Sequence, residues 1–343
     1  MKISTVTTAT EHEMVQFGED PECGYRAVIA IHSTRLGPAV GGTRLWTYPS
    51  VDDAIVDALR LSRGMTFKNA AAGLALGGGK SVILRPSGDF DREMLFRAHG
   101  RFVNSLGGRY VTAEDVGSSP ADMAIMRKET PHAAGLPELS GDPSPVTARG
   151  VFRSIEAAAF HRWGSSDLHG RRVAIQGSGN VGYHLARELF AAGAELVIAD
   201  VNPLAAARVA TELKAQVVDP RHIHHVPADI FAPCALGGTL NSGTIPQLVC
   251  EIVSGAANNQ LLEDGDAGRL EARGILYVPD FIANAGGVIN GTRELLGWDR
   301  DRAWSRVEAI YDTTLEIFRL AASLGITTAA AAERIALERL GSA

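Results

Sequence analysis

The sequence has few cysteines, no long apolar run and no excess of positive charge. Its three cysteines, Cys23, Cys234 and Cys250, lack metal-ligand spacing, which indicates reduced thiols in a cytoplasmic protein without a metal site. No run of 18 apolar residues occurs, and residues 1–17 hold no apolar core of signal-peptide length, so we expect a soluble intracellular protein. The net charge of −6 argues against nucleic acid or an anionic membrane surface as a partner.

Length and composition indicate a globular protein with more than one core. A chain of 343 residues is too long for one ordinary core and suits two domains. A hydrophobic content of 45%, a charged content of 21% and 37 glycines are typical of a globular protein with many loops and no disordered tracts. The sequence contains no internal repeat and no low-complexity segment.

The first part of the chain mixes strands and helices up to a proline-rich segment. Apolar periodicity predicts the helices, and glycine and proline predict the loops. The predicted elements are a strand over 25–31, a loop with paired glycines over 37–46, a helix capped by Ser50 and ending at Gly64, a helix over about 91–106, a strand from Arg109 that carries Glu114 and Asp115 into a loop, a short helix after Pro120, and an interdomain hinge over 131–145.

The second part of the chain alternates strands and helices. Its strands are nearly continuous apolar runs, which is typical of a parallel sheet covered on both faces. The predicted elements are a helix over 147–163, a strand over 171–176, a helix with Leu185 and Leu189 on its apolar face, a strand ending at Asp200, strand–helix units beginning at Val217, Asp229, Ile252 and Ile275, a long helix over about 301–324 and a last helix over 327–340.

A glycine-rich motif follows the first strand of this second part. The pattern GxGxxG is formed by Gly177, Ser178, Gly179, Asn180, Val181 and Gly182. Such a motif is weak alone, but strand, motif, helix, strand and an aspartate 23 residues after Gly177 together predict a dinucleotide-binding unit. The helix N-terminus offers free N–H groups to the pyrophosphate. Asp200 would bind the ribose hydroxyls and repel a 2′-phosphate, so we predict NAD rather than NADP as the cofactor.

The other strands of this part end in small or amide residues. Ligands of open α/β sheets bind at the carboxyl ends of strands, so we expect Ala235, Ala256, Asn258 and Asn284 to line the cofactor. The two asparagines would serve equally well as helix caps, and the sequence pattern leaves that alternative open.

The stretch over 63–84, RGMTFKNAAAGLALGGGKSVIL, places two lysines in small and apolar sequence. Lys68 and Lys80 are twelve positions apart, and no charged residue lies between them. Burial disfavours the charged form of a lysine and lowers its pKa, which suits a general base near neutral pH. The same pattern fits a tight turn into a strand over 81–84, with two lysines whose ammonium groups reach water.

Eight segments carry a resemblance to a known family. They are GPAVGGTRLW, the lysine stretch, TAEDVG, PSPVTA, GSGNVG, APCALGG, GAANNQ and NAGGVIN. In this order they resemble the glutamate/leucine/phenylalanine/valine dehydrogenase family over essentially the whole chain, and TAEDVG, PSPVTA and GNVGYHL look most like leucine dehydrogenase.

The resemblance implies a fold and a reaction. The fold is α/β with two domains and a cleft between them: an N-terminal substrate domain over 1–143 and a C-terminal Rossmann-type NAD-binding domain over 144–324. The helix over about 325–343 is expected to pack back on the first domain. The reaction is NAD-linked oxidative deamination of an L-amino acid to a 2-oxo acid and ammonium, in a homo-oligomer whose size stays open.

The resemblance also implies roles for three residues. Lys68 binds the substrate carboxylate, Lys80 is the base that activates water, and Asp115 assists proton transfer at the amino group. Hydride loss from Cα leaves an iminium that water must attack, and a neutral lysine can take the proton of that water. Glu114 is the rival of Asp115, although strand alternation would point it to the other face.

The side-chain pocket implied by the resemblance is apolar. Glutamate enzymes hold the distal carboxylate with a lysine and a hydroxyl, and the matching positions here are Val40 and Gly291, so an apolar or branched-chain substrate is expected. The other expected substrate contacts are Gly41, Ala113, Asn258 and Val288, and Thr147 joins the expected cofactor contacts. Gly291 departs from the valine usual in leucine enzymes and leaves an aromatic amino acid open.

A hypothesis of another class is a non-catalytic NAD-binding sensor that keeps the fold. The presence of Lys68, Lys80 and Asp115 together argues against it. Formation of NADH from NAD and an amino acid distinguishes the two hypotheses.

Overall fold

The computed structural model describes residues 1–7, 11–136, 141–293 and 295–341, which divide into two compact units. The first unit comprises Met1–Gly141, Gly291–Trp298 and Ala336–Ala343, and the second comprises Asp142–Asn290 and Asp299–Ile335. Residues 137–140 of the predicted hinge lie outside the described residues.

The first unit is built on a mixed six-stranded sheet. Its elements are β1 Lys2–Thr5, β2 Met14–Asp20, β3 Tyr25–Ser33, β4 Ala39–Trp46, α1 Val51–Ala71, β5 Gly77–Leu84, α2 Arg92–Asn104, β6 Tyr110–Glu114 and α3 Pro120–Arg127. The strand order is β1-β2-β3-β5-β4-β6. Strand β4 is parallel to both neighbours, β5 and β6, whereas β3 is antiparallel to β5.

The two faces of this sheet pack against different helices, because successive strand side chains point to opposite faces. Val82 and Leu84 of β5 pack with Ala54 and Ala58 of α1. Ile83, between them in sequence, packs with residues of α2 and with Met123 of α3 on the other face. Each large apolar side chain fully buried in this way contributes ~1.5–3 kcal/mol. Alternation along β5 therefore decides which face each of its polar side chains occupies.

The segment predicted as a loop over 37–46 is largely the central strand β4, so that prediction is wrong. Paired glycines favour loops by propensity, but here they allow close approach of neighbouring backbone. A Cβ added to Gly41 would lie 1.7 Å from the carbonyl oxygen of Gly79, and one added to Gly42 would lie 2.5 Å from that of Glu114. The close approach suggested by the glycines is that of the adjacent strands.

Helix α1 does not end at Gly64, as predicted, but continues to Ala71 and carries Lys68 in its last turn. A glycine inside a helix costs ~1 kcal/mol relative to alanine. The turn after Gly64 buries Phe67, Ala70 and Ala71, and this packing outweighs that local cost. The predicted cap is confirmed, since the side chain of Ser50 accepts a hydrogen bond from the backbone N–H of Asp53 at 3.1 Å.

The alternative of a glycine turn into a short strand over 81–84 is also wrong. Strand β5 begins at Gly77, so the three glycines belong to it, and all eight of its residues are buried. Lys80 is only 5% exposed, and its ammonium group is held inside the protein rather than in water.

From residue 144 the chain alternates strands and helices as predicted. The elements are α4 Ser144–Trp163, β7 Arg172–Gln176, α5 Asn180–Ala191, β8 Glu195–Ala199, α6 Pro203–Leu213, β9 Gln216–Val217, β10 Ile230–Pro233, β11 Ile252–Val253, α7 Asp266–Ala272, β12 Leu276–Tyr277, α8 Asp280–Ala283, α9 Gly286–Thr292, α10 Arg300–Glu308, α11 Ile310–Leu324 and α12 Thr328–Arg339. The strands form one parallel sheet in the order β9-β8-β7-β10-β11-β12, the order of a Rossmann dinucleotide-binding domain. The predicted fold class is confirmed.

One predicted helix of the second unit is two helices. The pattern over 301–324 is divided at Ala309, where α10 ends and α11 begins. The break follows Glu308, whose carboxylate binds Arg149 and Arg153 of α4 at 2.6 and 3.1 Å. These tertiary ion pairs are not encoded in the helical periodicity of the segment.

The end of the chain belongs to the first unit from Ala336 onward. There the guanidinium of Arg339 donates to the carbonyl oxygens of Ala70 and Ala71 at the end of α1. Among the described residues, no single helix has the length and apolar character needed to cross a membrane. The segment Arg300–Leu324, which holds α10 and α11, and the helix Thr328–Arg339 reach that length and composition only as a pair, which is bent by 108°.

Candidate active site

The first unit holds a compact group of charged side chains beside α1. Lys80 Nζ lies 2.8 Å from Asp115 Oδ2, and Arg44 Nε donates to the same oxygen at 3.0 Å. Arg44 Nη1 donates to Asp57 Oδ2 at 2.9 Å, and the hydroxyl of Tyr48 donates to that oxygen at 2.5 Å. We call Arg44, Asp57, Lys80 and Asp115 the charged cluster.

Strand alternation places the members of the charged cluster. Lys80 has the same parity on β5 as Val82 and Leu84, which pack against α1. Asp57 comes from α1 itself, and Arg44 comes from β4, beside β5. Asp115 follows β6, and its position depends on Gly42, where an added Cβ would lie 2.8 Å from Asp115 Cβ.

The backbone of Asp115 is fixed by a neighbouring serine. Its N–H donates to Ser118 Oγ at 2.9 Å, and that hydroxyl donates to the carbonyl oxygen of Thr43 at 2.7 Å. The loop after β6 is thereby attached to β4. Both the main chain and the carboxylate of Asp115 are held before any substrate binds.

Burial and charge act on the Lys80–Asp115 pair in ways that matter for proton transfer. Burial lowers the pKa of Lys80; Asp115 opposes that shift and Arg44 adds to it, and the lowered direction prevails. Burial would raise the pKa of Asp115, but the charges and hydrogen bonds of Lys80 and Arg44 outweigh it and hold the pKa below its usual value. The arrangement favours a carboxylate that stays ionised beside a lysine that can lose its proton.

Lys68 and Lys80 belong to different elements that are joined by a buried amide. Lys68 lies in the last turn of α1 and Lys80 in the middle of β5. Between them Asn69 is fully buried, and its Nδ2 donates to the carbonyl oxygen of Gly77 at 2.6 Å. This bond fixes the end of the helix to the beginning of the strand.

The opposite face of the same strands carries a neutral hydrogen-bond network. Thr43 Oγ1 lies 2.6 Å from Thr112 Oγ1, 2.8 Å from Ser81 Oγ and 3.1 Å from His99 Nε2. His99 Nε2 also lies 3.0 Å from Ser81 Oγ, and its Nδ1 lies 2.6 Å from the hydroxyl of Tyr25. We call these five buried residues the hydroxyl–imidazole network. Burial lowers the pKa of His99 to about 3, so its ring is neutral.

Three predicted pocket residues lie together in the first sheet. Val40 and Gly41 are on β4, paired with Val111 and Thr112 of β6, and Ala113 pairs with Gly42. The carbonyl oxygen of Gly41 accepts a hydrogen bond from Tyr110 at 2.6 Å.

The remaining predicted substrate residues lie elsewhere in the chain. Val288 and Gly291 are on α9, and Asn258 belongs to the second unit. A Cβ added to Gly291 would meet no atom within 4 Å, so a larger side chain has space there.

The glycine-rich motif adopts the form that the sequence predicts. Gly177 follows β7 with φ +101°, a conformation that favours glycine, and α5 begins after Gly179. A Cβ on Gly182 would lie 2.1 Å from the carbonyl oxygen of Gly177, so the turn requires glycine at both ends. Val181 lies in the first turn of α5. The carboxylate of Asp200 accepts hydrogen bonds from Ser178 N at 2.6 Å and Ser178 Oγ at 3.0 Å.

The other predicted cofactor residues surround the carboxyl ends of the central strands. A Cβ added to Gly177 would lie 2.9 Å from the Cβ of Ala235. A Cβ added to Gly287 would lie 2.6 Å from Thr147 Oγ1. Asn284 Nδ2 donates to the carbonyl oxygen of Ala256 at 3.1 Å and to Asn258 Oδ1 at 2.9 Å. The two amides thus bind each other.

The second unit fits a dinucleotide on two observations. A Cβ added to Gly179, at the N-terminus of α5, meets nothing within 4 Å, so the backbone there is open to a phosphate. Asn284 is 4% exposed, and its Oδ1 has no hydrogen-bond partner among the described residues. A buried acceptor of this kind is suited to an amide donor such as a nicotinamide carboxamide.

Sequence reasoning missed Arg44, Asp57 and Tyr48. The sequence predicts a loop over 37–46, and the alternation that places Arg44 on the face of Lys80 exists only in a strand. A charged residue within an otherwise apolar segment was the available signal. Asp57 and Tyr48 carried no signal of their own, since their position depends on where α1 packs.

Comparisons with known proteins agree with this fold. The chain matches the family model described as "Glu/Leu/Phe/Val dehydrogenase, dimerisation domain" over residues 12–132 and the model "Glutamate/Leucine/Phenylalanine/Valine dehydrogenase" over residues 140–204 and 200–341. It is 50% identical to leucine dehydrogenase of Bacillus cereus, over 97% of this chain and 92% of that protein. It is 49% identical to valine dehydrogenase of Streptomyces coelicolor, over 97% and 93%.

Among solved structures, the crystal structure of L-tryptophan dehydrogenase from Nostoc punctiforme is similar, with a TM-score of 0.86 and 45% identity over 96% of each chain. The protein therefore belongs to the Glu/Leu/Phe/Val dehydrogenase family of amino acid dehydrogenases, oxidoreductases that act on CH–NH2 groups.

Proposed function

We propose that the protein catalyses the reversible oxidative deamination of a branched-chain L-amino acid, leucine or valine, to the 2-oxo acid and ammonium, with NAD as the cofactor. The observation that carries the proposal is the buried contact of 2.8 Å between Lys80 Nζ and Asp115 Oδ2. A lysine with a lowered pKa beside an ionised carboxylate is suited to repeated proton transfer at one site. The identities with leucine and valine dehydrogenases support the substrate class.

Each residue of the site has a role in this proposal. The hydride acceptor is supplied by the nicotinamide cofactor when it is bound. Lys80, in its neutral form, takes a proton from the water that attacks the substrate iminium, and its protonated form stabilises the charge that develops on oxygen. Asp115 exchanges a proton with the substrate amino group. Lys68 binds the substrate carboxylate, and the N-terminal unit is the substrate domain.

The apolar character of the pocket residues supports a hydrocarbon side chain. Val40, Gly41, Ala113 and Val288 offer no cation to a distal carboxylate. A buried carboxylate without a cationic partner costs several kcal/mol, so glutamate is rejected. We propose that Asn258 contacts both the substrate and the cofactor.

NAD is proposed over NADP because of Asp200. Asp200 follows β8, and its carboxylate accepts hydrogen bonds from Ser178 of the glycine-rich motif. Burial would raise the pKa of Asp200, but its hydrogen bonds outweigh burial and lower that pKa, so the carboxylate stays ionised. An anion in this position would repel a 2′-phosphate. The remaining proposed cofactor residues are Thr147, Gly177, Ser178, Gly179, Asn180, Val181, Gly182, Ala235, Ala256 and Asn284.

A second candidate substrate is an aromatic amino acid, since a relative of known structure is a tryptophan dehydrogenase and Gly291 has open space beside its Cα. Gly291→Val tests whether this space belongs to the substrate pocket. If Gly291 lines the pocket, valine lowers kcat/KM for phenylalanine or tryptophan relative to leucine by at least about tenfold. An unchanged ratio removes Gly291 from the pocket.

We also propose a homo-oligomer, because the family model over residues 12–132 is described as a dimerisation domain. The reaction is tested by NADH absorbance on mixing the protein with NAD or NADP and a panel of L-amino acids. The expected result is NADH with leucine, isoleucine and valine, and at least tenfold lower efficiency with NADP. No reduced cofactor with any amino acid would contradict the proposal and favour a non-catalytic sensor.

A further inference from the structure

Arg44 binds two carboxylates on the α1 face of the first sheet. Its Nε donates to Asp115 Oδ2 at 3.0 Å, and its Nη1 donates to Asp57 Oδ2 at 2.9 Å. A planar guanidinium with two separate bonds of this kind has a fixed orientation. The Arg44 and Asp57 side chains are 20% and 15% exposed, so water competes weakly for these bonds.

The oxygen that Arg44 binds is the one that faces Lys80. Asp115 Oδ2 receives Nε of Arg44 and Nζ of Lys80 together. If Lys80 loses its proton, the attraction between lysine and carboxylate largely disappears. The bond from Arg44 remains, and it keeps the carboxylate in place at that stage of the reaction.

Arg44 is itself anchored from α1 and from the segment after β4. Asp57 Oδ2 accepts from Arg44 and from the hydroxyl of Tyr48 at 2.5 Å, and Arg60 lies 3.8 Å from Asp57 Oδ1. Among the described residues, the ionisable groups that act on the Lys80–Asp115 pair or on its anchor include Arg44, Tyr48, Asp57, Arg60 and, on β6, Tyr110.

We propose that Arg44, anchored by Asp57 and Tyr48, is a positioning residue that holds the Asp115 carboxylate against Lys80 while Lys80 loses and regains its proton. The inference rests on the proposed function, because it assigns no new reaction. Arg44 has a second effect of the same origin: its positive charge opposes a second positive charge on Lys80 and so contributes to the lowered pKa of that lysine.

The test compares Arg44→Gln with the unchanged enzyme over a range of pH, with leucine and NAD. Loss of the fixed guanidinium is expected to lower kcat by roughly 10–100-fold, as for other misplaced catalytic groups. Loss of its charge raises the pKa of Lys80, so the acid limb of the kcat/KM profile moves to higher pH. A role limited to stability would change neither quantity.

A conservative variant separates orientation from charge. Arg44→Lys keeps the charge but loses the fork that binds two carboxylates. The acid limb should stay close to that of the unchanged enzyme, whereas kcat should recover only in part.

The chain offers a matched control at a second buried carboxylate of the first unit. Arg92 Nε and Nη2 bind Asp122 at 2.8 and 2.7 Å, and the Asp122 side chain is 2% exposed. Arg92→Gln breaks an equally close ion pair that shares no member with the charged cluster, together with the bond from Arg92 Nη2 to the carbonyl oxygen of Gly117 at 2.8 Å. It should lower stability and leave kcat and the pH profile unchanged. Identical behaviour of Arg44→Gln and Arg92→Gln would overturn the proposal.

Two further measurements keep the test decisive. If Arg44→Gln does not fold, Asp57→Asn removes the anchor instead; it should lower kcat and move the acid limb to lower pH, because an anion near Lys80 is lost. An unchanged profile would overturn the proposal. A 13C NMR titration of Lys80 in the unchanged protein and in Arg44→Gln measures the pKa change of that lysine without turnover; in Asp57→Asn the expected shift is downward. An upward shift in Arg44→Gln supports the role of Arg44 even if the assigned reaction is wrong, and no shift in that variant counts against it.

Discussion

The two faces of the first sheet differ in charge although they share the same three strands. The face beside α1 carries the charged cluster, in which two cations and two carboxylates are paired. The face beside α2 carries the hydroxyl–imidazole network, in which five buried polar residues are neutral. Adjacent residues belong to opposite faces: Lys80 and Ser81 on β5, Arg44 and Thr43 on β4.

This difference indicates that the charged face carries out the reaction and that the neutral face stabilises the sheet. A buried ion pair costs desolvation energy that its own attraction only partly offsets, so it is weak evidence for stability and suits a reacting site. Neutral hydroxyl groups with complete hydrogen bonding cost less to bury and specify one geometry. Because Thr43, Ser81 and Thr112 lie on three neighbouring strands, their bonds fix the relative position of β4, β5 and β6 and so of the side chains on the other face.

The largest expected effect follows from removing the carboxylate of the charged face. Asp115→Asn should lower kcat by roughly 10²-fold or more, because the group that exchanges a proton with the amino group is lost. Asp122→Asn, which removes a buried carboxylate paired with Arg92, is the control and should retain kcat. Steady-state kinetics with leucine measure both, and near-normal turnover of Asp115→Asn would assign the proton transfer to another residue.

A change on the neutral face should affect stability instead. Thr43→Val keeps the shape but removes the hydroxyl that joins Ser81, Thr112 and His99, so each of these buried groups loses one hydrogen-bond partner, which costs about 1–3 kcal/mol of unfolding free energy. Urea denaturation measures this loss. Thr314→Val is the control, because the hydrogen bond of its hydroxyl within the described part of the chain goes to the carbonyl oxygen of Ile310 in its own helix turn. Equal losses in the two variants would mean that the network does not act as a unit.

The effect confined to a narrow pH range is a change in the pH dependence of stability. The pKa of His99 is about 3 in the folded protein against an ordinary 6.5, so between these values the unfolded chain binds a proton that the folded one does not, and stability falls as pH falls. His99→Gln removes this contribution. The stability difference between the two proteins should therefore shrink by about 2 kcal/mol from pH 7 to pH 5. A constant difference would mean that His99 takes up a proton in the folded state.

Local sequence signals predicted the second unit better than the first. The motif from Gly177 to Gly182, its flanking strands and Asp200 are local features with strict spacing, and the structure has them as expected. The charged cluster depends on strand β4, whose glycines Gly41 and Gly42 have the propensity of a loop and are required by contacts with β5 and β6. Those contacts are non-local, so Arg44 and Asp57 could not be assigned before the sheet was known.

The most direct test of the separation uses two adjacent residues of β5. Lys80→Ala and Ser81→Ala are compared by kcat with leucine and by urea denaturation. We expect Lys80→Ala to lower kcat by roughly 10²-fold or more. We expect Ser81→Ala to lower the unfolding free energy by about 1–3 kcal/mol while kcat stays within about tenfold. Comparable loss of turnover in both variants, or near-normal turnover of Lys80→Ala, would contradict the conclusion that the face beside α1 carries out the reaction and the face beside α2 stabilises the sheet.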